Sequence, residues 1–550
     1  MRNVNIGLDS LQYQGKDVHA VIRQLKMEER SGLSISSLTG SVTSNDTVIS
    51  IPNLKLLTPH SQLDLTGQAY WKFITNPESG RLSARFDAYI GREDVMLFVG
   101  GLPEAFRKAY PFRPIVTHVV TEGNLKELQI SRLSVDLPGA LSAKGKGVLE
   151  NLTDSLGRSG NVDINMTTQN LNFLAALTGL PPGGSFVIPD NMNLKANLAL
   201  KGPQYKAKLD LIEGKGSISA TAALNTVTEV YQADLKVEDL QLHHFLPKDS
   251  IYELSMSATA SGKGFDVTSY RSNARLKTTV DQLHYAAYHI SNINLDATLK
   301  RALITANLNS DNELLKMRAD GEYNIARSYP EGKATIDVDY LNFYELGLMP
   351  NPVQHPVVFK LTGELERNRV FAHLTSGDMK LNLSARTGIL PLISQSTHFV
   401  DVLMKQISKK LLDHSELRKA LPTAVISFTA GEHNILSYYL ATQNISFSSM
   451  SVKFGAAPNW GINGKAAIFN LNADTLLLDT VFFTVKQDTA QMNLRAGVIN
   501  GPKNPQFTFA AIATGEIRDK DAELLLNFEN AKGETGLLLG VRAQPLLLLC

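Results

Sequence analysis

The sequence predicts an almost all-β protein, and three features carry that expectation. Side chains alternate apolar and polar with a period of two, short turn-forming clusters separate the alternating runs, and one segment departs to a helical period. Successive side chains of a strand point to opposite faces, so this alternation gives a sheet one oily and one wet side. Met192, Leu194, Ala196, Leu198 and Leu200 alternate with Asn193, Lys195, Asn197 and Ala199, and Ile218, Ala220, Ala222 and Leu224 keep the same beat. So do Ile293, Leu295, Ala297 and Leu299, then Ile336 and Val338. Between runs lie Gly145-Lys146-Gly147, Gly214-Lys215-Gly216, Gly262-Lys263-Gly264 and Ser310-Asp311-Asn312, which are expected to be turns or bulges. None of the Gly-x-Gly triplets has the further glycine and helix-opening context of a phosphate loop.

A longer unit also recurs. A strand is followed by a short apolar helical turn containing Phe and then by proline: Phe98 before Pro103, Phe173 before Pro181, Phe245 before Pro247, and Phe343 before Pro350. The uneven spacing of these prolines is wrong for a solenoid of fixed rung length and suits a modular sheet with inserted hairpins. Each turn is expected to fold its Phe and Leu over the sheet before the proline forbids further helix. At 550 residues the chain exceeds one ordinary domain, and an elongated core that grows by repetition accommodates that length.

One long helix is expected from Phe399 to about Leu421, ended by Pro422. Val400, Leu403, Met404, Ile407, Leu411 and Leu412 hold one side; Lys405, Lys409, Lys410 and Arg418 hold the other. Two placements are open: flat on an anionic membrane surface, or with the apolar stripe packed on the neighbouring sheet. The chain is thereby divided into a repeated β region at 1–390, an amphipathic helical interruption at 391–422 and a second β region at 423–550.

The residues argue against chemistry. Lys+Arg 54 against Asp+Glu 53 leaves a net charge of +1 with no long basic run, so nucleic acid is excluded as a partner. The single cysteine, Cys550, rules out an internal disulfide framework and a cysteine-based metal site. His243-His244 are adjacent, which puts them on opposite faces of a strand or about 100° apart on a helix; His284 and His289 read as isolated. No metal, no cofactor and no catalytic residues are expected, and no enzyme. Asp210, Asp337 and Asp339 alternate with apolar neighbours as a solvent face does, and not as a buried acid/base pair. No run approaches the roughly 18 to 20 apolar residues that span a bilayer, and the start lacks a signal-peptide core. A start inside strand-like sequence and an apolar end at 546–550 lead us to expect a piece of a longer chain.

The opening Leu8-Asp9-Ser10-Leu11-Gln12-Tyr13-Gln14-Gly15, the stretch 50–61 with Ile51-Pro52-Asn53 and Thr58-Pro59-His60-Ser61, and the Phe-turn/Pro units resemble the AsmA-like repeats of the TamB-type translocation and assembly family over most of residues 1–540. The resemblance implies an all-β, elongated, curled antiparallel sheet, a trough with a greasy inner face. It implies phospholipid as the cargo between inner and outer membranes and the outer-membrane assembly machinery as a partner. It also implies a periplasmic location with an inner-membrane anchor in the full-length protein, and neither anchor nor terminal domain is recognisable here. Candidate groove residues are those on the apolar phase: Met192, Leu194, Leu198, Leu200, Ile218, Leu224, Ile293, Leu295, Leu299, Ile336 and Val338. The alternation fits equally an elongated structural or adhesive β protein whose interior is filled by its own side chains, because burial by lipid and by protein leave the same period.

Overall fold

The computed structural model describes residues 2–29, 32, 34–98, 101–154, 156–178, 184–347, 352, 357–409, 413–518 and 521–543, and within them thirty-two strands form an open antiparallel sheet. Nearly every described pairing joins strands adjacent in sequence; the two exceptions join Ala424–Ala430 to Ser449–Ala457 across an inserted helix and a short strand, and that short strand, Ile445–Ser446, to Gly461–Ala473. Short turns dictate this, since antiparallel neighbours need only a tight loop while parallel ones need a long crossover. Arg2–Gln14 is described pairing only with Asp17–Glu28, and Thr535–Ala543 only with Asp521–Glu529, so the ladder does not close on itself. The all-β antiparallel class read from the alternation is the class observed. The chain divides into two compact units, residues 1–265 with 274–289 and residues 266–273 with 290–550.

In the first unit the register converts alternation into a face. Val135, Ala143, Met166, Leu194, Leu211, Ile218, Val237 and Met256 are successive cross-strand partners, forming one apolar row over eight strands. Lys195, Asp210, Ser219 and Lys236 form a row on the opposite face. Gly145-Lys146-Gly147, expected as a turn, lies instead inside strand Leu141–Glu150. Its glycines pair with Leu133 and Ile164, and with Ile130 and Val162, so they fall between bulky neighbours on both sides. A Cβ on Gly147 would stand 2.5 Å from the Asn161 carbonyl oxygen, which is the close approach that glycine permits. Gly214, by contrast, sits in a turn at φ +55° as expected.

Tight burial in this unit is confined to one end of the strands. There Phe106, Tyr110 and Phe173 meet with ring centroids 5.4 to 5.7 Å apart, over Leu137, Ala140 and Leu171. The short helix Glu104–Ala109 supplies Phe106, its C-cap is Tyr110, and the 3-10 turn Asn172–Thr178 supplies Phe173, which folds over the sheet as the repeated unit predicts. Phe245 is half-buried against Phe186. Pro181, Pro350 and the side chain of Phe98 lie outside the described residues.

The second unit lays helices on its apolar face. The expected single helix is two: Ile389–Ser408, beginning ten residues before Phe399, and His414–Ala420; Lys410, Leu411 and Leu412 lie outside the described residues. Pro391 is compatible with the earlier start because the first helical turn has no use for its missing N–H. Asp413 opens the second helix by accepting the backbone N–H of Ser415 and Glu416 at 3.0 Å. Leu392 packs on Val370 and Ala385, and Phe399, Val402 and Leu403 pack on Leu417, Val485, Met492 and Ile517. Val400, Met404 and Ile407 are more than half exposed, so they do not join Leu403 against the sheet. The sheet takes the arc bearing Leu392, Phe399 and Leu403, and a second apolar arc with Leu390, Ile393, Val400, Met404 and Ile407 is left outward.

Candidate functional site: an apolar face and its cleft

All eleven residues on the apolar phase fall on the apolar face of their own unit. Met192, Leu194, Leu198, Leu200, Ile218 and Leu224 share it in the first unit through the pairings Leu194 to Leu211 to Ile218 and Leu200 to Tyr205 to Leu224. Ile293, Leu295, Leu299, Ile336 and Val338 share it in the second, through Leu295 to Leu308 to Ala319 to Ile336. Protein already covers Met192, Leu299 and Val338, at 5, 9 and 3% exposure, because they lie near strand ends. Leu194, Leu200, Ile218, Leu224, Ile293, Leu295 and Ile336 are half-buried, and Leu198 is 46% exposed.

The row through Leu295 is the longest feature of the lining. It continues from Ile336 through Leu361, Leu374, Leu381, Phe428, Val452, Ala466, Phe483, Ala496, Ala513 and Leu526 to Leu539 without one charged residue. Neighbouring side chains on the same face shield each other only partly; Phe483 and Phe428 illustrate the range, the first 37% exposed and the second half-buried.

On this face the second unit also forms a cleft of about 470 Å³, within the range of small-molecule sites. Leu374, Met379, Leu381 and Phe428 from the strands, Phe343 from the fourth Phe turn, and Ile435, Leu436 and Tyr439 from helix Ile435–Ala441 line it. No lining side chain carries a charge. A polar latch holds the helix in place: the Asp378 carboxylate accepts the N–H of Gly431 and His433 at 3.1 and 3.0 Å and the Asn434 amide at 2.7 Å. Asn434, only 1% exposed, caps the helix by accepting the Ser437 N–H at 3.0 Å. Gly377, at φ +56°, lets the His433 carbonyl approach to where a Cβ would collide at 1.9 Å. Burial pushes the Asp378 carboxyl up, but donation from Asn434, His433 and Gly431 outweighs it and holds the group below the ordinary carboxylate value. Such a cleft can take an apolar chain and offers no proton-transfer pair to it.

Sequence reasoning missed this helix and most of its cleft. Asn434 followed by Ile435, Leu436, Tyr439 and Leu440 is a capped amphipathic pattern, but it spans only seven residues. The histidines also differ from expectation. His243 and His244 bring their ring centroids within 4.2 Å of each other on helix Leu242–Phe245, and His284 stacks on His289 at 4.2 Å across a hairpin, with Tyr252 between the pairs. His244 also meets the buried Glu213 at 2.6 Å. Among the described residues no group of three or more His, Cys, Asp or Glu is placed to hold a metal ion.

Fold and lining together define a class, an open antiparallel sheet whose two units each carry an apolar face. No protein-family model, no curated protein and no solved structure matches the chain.

Proposed function

We propose that the apolar face binds lipid acyl chains, and that the chain is a segment of a phospholipid conduit between the two membranes of a bacterial envelope. The observation that carries this reading is the charge-free, half-exposed row from Leu295 to Leu539. An acyl chain leaving a bilayer loses about 0.8 kcal/mol for each CH₂ it exposes, and a continuous apolar wall removes that penalty at each step. No titrating residue is needed for such transfer. The strand middles favour lipid over a packed interior, since residues such as Leu194, Leu209 and Ile218 are half-buried where a sandwich core would bury them fully. The resemblance to TamB/AsmA-like proteins extends the proposal to a periplasmic location, an inner-membrane anchor in the full-length protein and support of outer-membrane protein assembly.

The test is extraction of the purified chain followed by thin-layer analysis of the extract. Phospholipid is expected with the parent chain, and Leu198→Asp with Leu295→Asp is expected to lower it while the β signal in circular dichroism stays unchanged. A parent chain free of lipid after mild purification refutes the proposal.

A further inference from the structure

The opposite, polar face of the second unit carries an arrangement that the lining does not use. Strands Ser449–Ala457, Gly461–Ala473, Leu476–Gln487 and Met492–Asn500 set Lys453, Lys465, Thr484 and Arg495 in one cross-strand row, with Lys486 between Asn463 and Asn493 in the next. Lys453 and Lys465 are direct partners, and like charges so placed repel and destabilise a sheet. Four other cations on this face have acids beside them, Arg318 with Asp339, Lys333 with Glu322, Lys360 with Asp337 and Arg369 with Glu364, while Lys380 lies between Thr375 and Thr429. Among the described residues, none of Lys453, Lys465, Lys486 and Arg495 has a carboxylate within ion-pairing distance. The Arg495 guanidinium lies 5.2 Å over the Phe482 ring. Asp488, whose charge reaches Lys486, commits its Oδ1 to the N–H of Ala490 and Gln491 in its own turn.

These four cations border a groove of about 1040 Å³. Trp460, 41% exposed, forms one wall with its indole over Gly455, where a Cβ would meet the ring at 2.8 Å. Glu516, bonded to Arg518, and Glu523 stand at the far side. The groove thus unites unneutralised cations, an open aromatic face and the Asn463 and Asn493 amides, and it ends in negative charge.

We infer that this groove binds a phosphorylated saccharide, either free or as the headgroup of a lipid. Lysines attract phosphate as point charges and the arginine fork grips it with paired donors. Lys465, the nearer of the lysine pair, and Arg495 lie two strand spacings apart, roughly 10 Å, which matches phosphates at two ends of a sugar and not a single small anion. The indole supplies a flat surface for the ring, and the Asn493 amide and the Asn463 Oδ1 can serve its hydroxyls, while the Asn463 Nδ2 donates to the Trp460 and Gln487 carbonyls. A long polyanion such as nucleic acid is disfavoured by the carboxylates at Glu516 and Glu523. The bound anion relieves the repulsion between Lys453 and Lys465, so ligand and fold stabilise each other.

With Trp71→Phe, Trp460 becomes the sole indole of a chain that has two tryptophans. Titration of that variant with a hexose bisphosphate is expected to give a saturable fluorescence change that weakens with added salt. Adding Lys453→Gln and Lys465→Gln is expected to weaken binding at least about tenfold. The same substitutions remove a repulsion, so without ligand the variant is expected to melt no lower than its parent, which separates lost binding from lost folding. Co-sedimentation with phosphatidylcholine vesicles, with and without phosphatidylinositol phosphate, identifies the source. Binding only to phosphate-bearing vesicles supports a lipid headgroup, and binding to the soluble sugar supports a free ligand. No saturable signal with either probe, equal affinity after the two lysine substitutions, or tighter binding of an oligonucleotide than of the sugar overturns the inference.

Discussion

In the first unit the apolar face is closed at one end, where Phe106, Tyr110 and Phe173 meet, and is left half-open along the strand middles. In the second the same kind of face carries helices, with Leu392, Phe399 and Leu403 pressed onto the sheet and Ile435, Leu436 and Tyr439 walling a cleft. The strands alternate alike in both units, so the difference lies in the insertions between them. Full burial here is the work of inserted turns and helices, while the sheet alone brings its apolar residues only to half-burial.

The largest test of this contrast sets the closed end against the middle. Phe173→Ala is expected to destabilise by about 3–5 kcal/mol, and Leu209→Ala, half-buried on the same face, by about 1 kcal/mol, both measured by urea unfolding. Equal losses would mean that the strand middles are a packed core. Gly147→Val, whose Cβ meets backbone on the neighbouring strand, is expected to lose about 1–3 kcal/mol through overpacking, and a neutral result would show that the strand can move aside. In the second unit Asn434→Ala removes a helix cap and a donor to Asp378, for a loss of about 0.5–2 kcal/mol that hydrogen exchange should locate around residues 431–441.

A pH series sharpens the same point. The folded-state pKa of Asp378 lies below its unfolded value, so its contribution is present above about pH 4 and fades as pH falls through the lower folded value. Acid is therefore expected to loosen the cleft helix, and Asp378→Asn to make its exchange protection, taken relative to the intrinsic rate at each pH, insensitive to pH in that window. The smallest effect belongs to the polar face: Asp337→Asn, which breaks an exposed pair with Lys360, is expected to change stability by under about 1 kcal/mol.

The sheet was readable from sequence because a period of two has few competing interpretations: Leu194, Ile218, Leu295 and Ile336 reached their faces by alternation alone. The long helix was readable only in part. Two overlapping series, Leu392, Phe399, Leu403 and Leu390, Ile393, Val400, Met404, both keep helical spacing, and only the shape of the sheet decides which is covered. Gly145 and Gly147 misled because a glycine that clears space for Ile164 and Val162 looks, in one dimension, like a glycine that turns the chain. The cleft depends on Asp378 reaching residues 431–434, a long-range bond that no local window contains.

Pairing almost solely with the next strand in sequence has a consequence for how such a protein is made and altered. Each new hairpin docks on one already formed, so the ladder can assemble in step with synthesis, without closing long loops. For the same reason, duplicating or deleting a hairpin would lengthen or shorten the ladder and leave every remaining neighbour where it was.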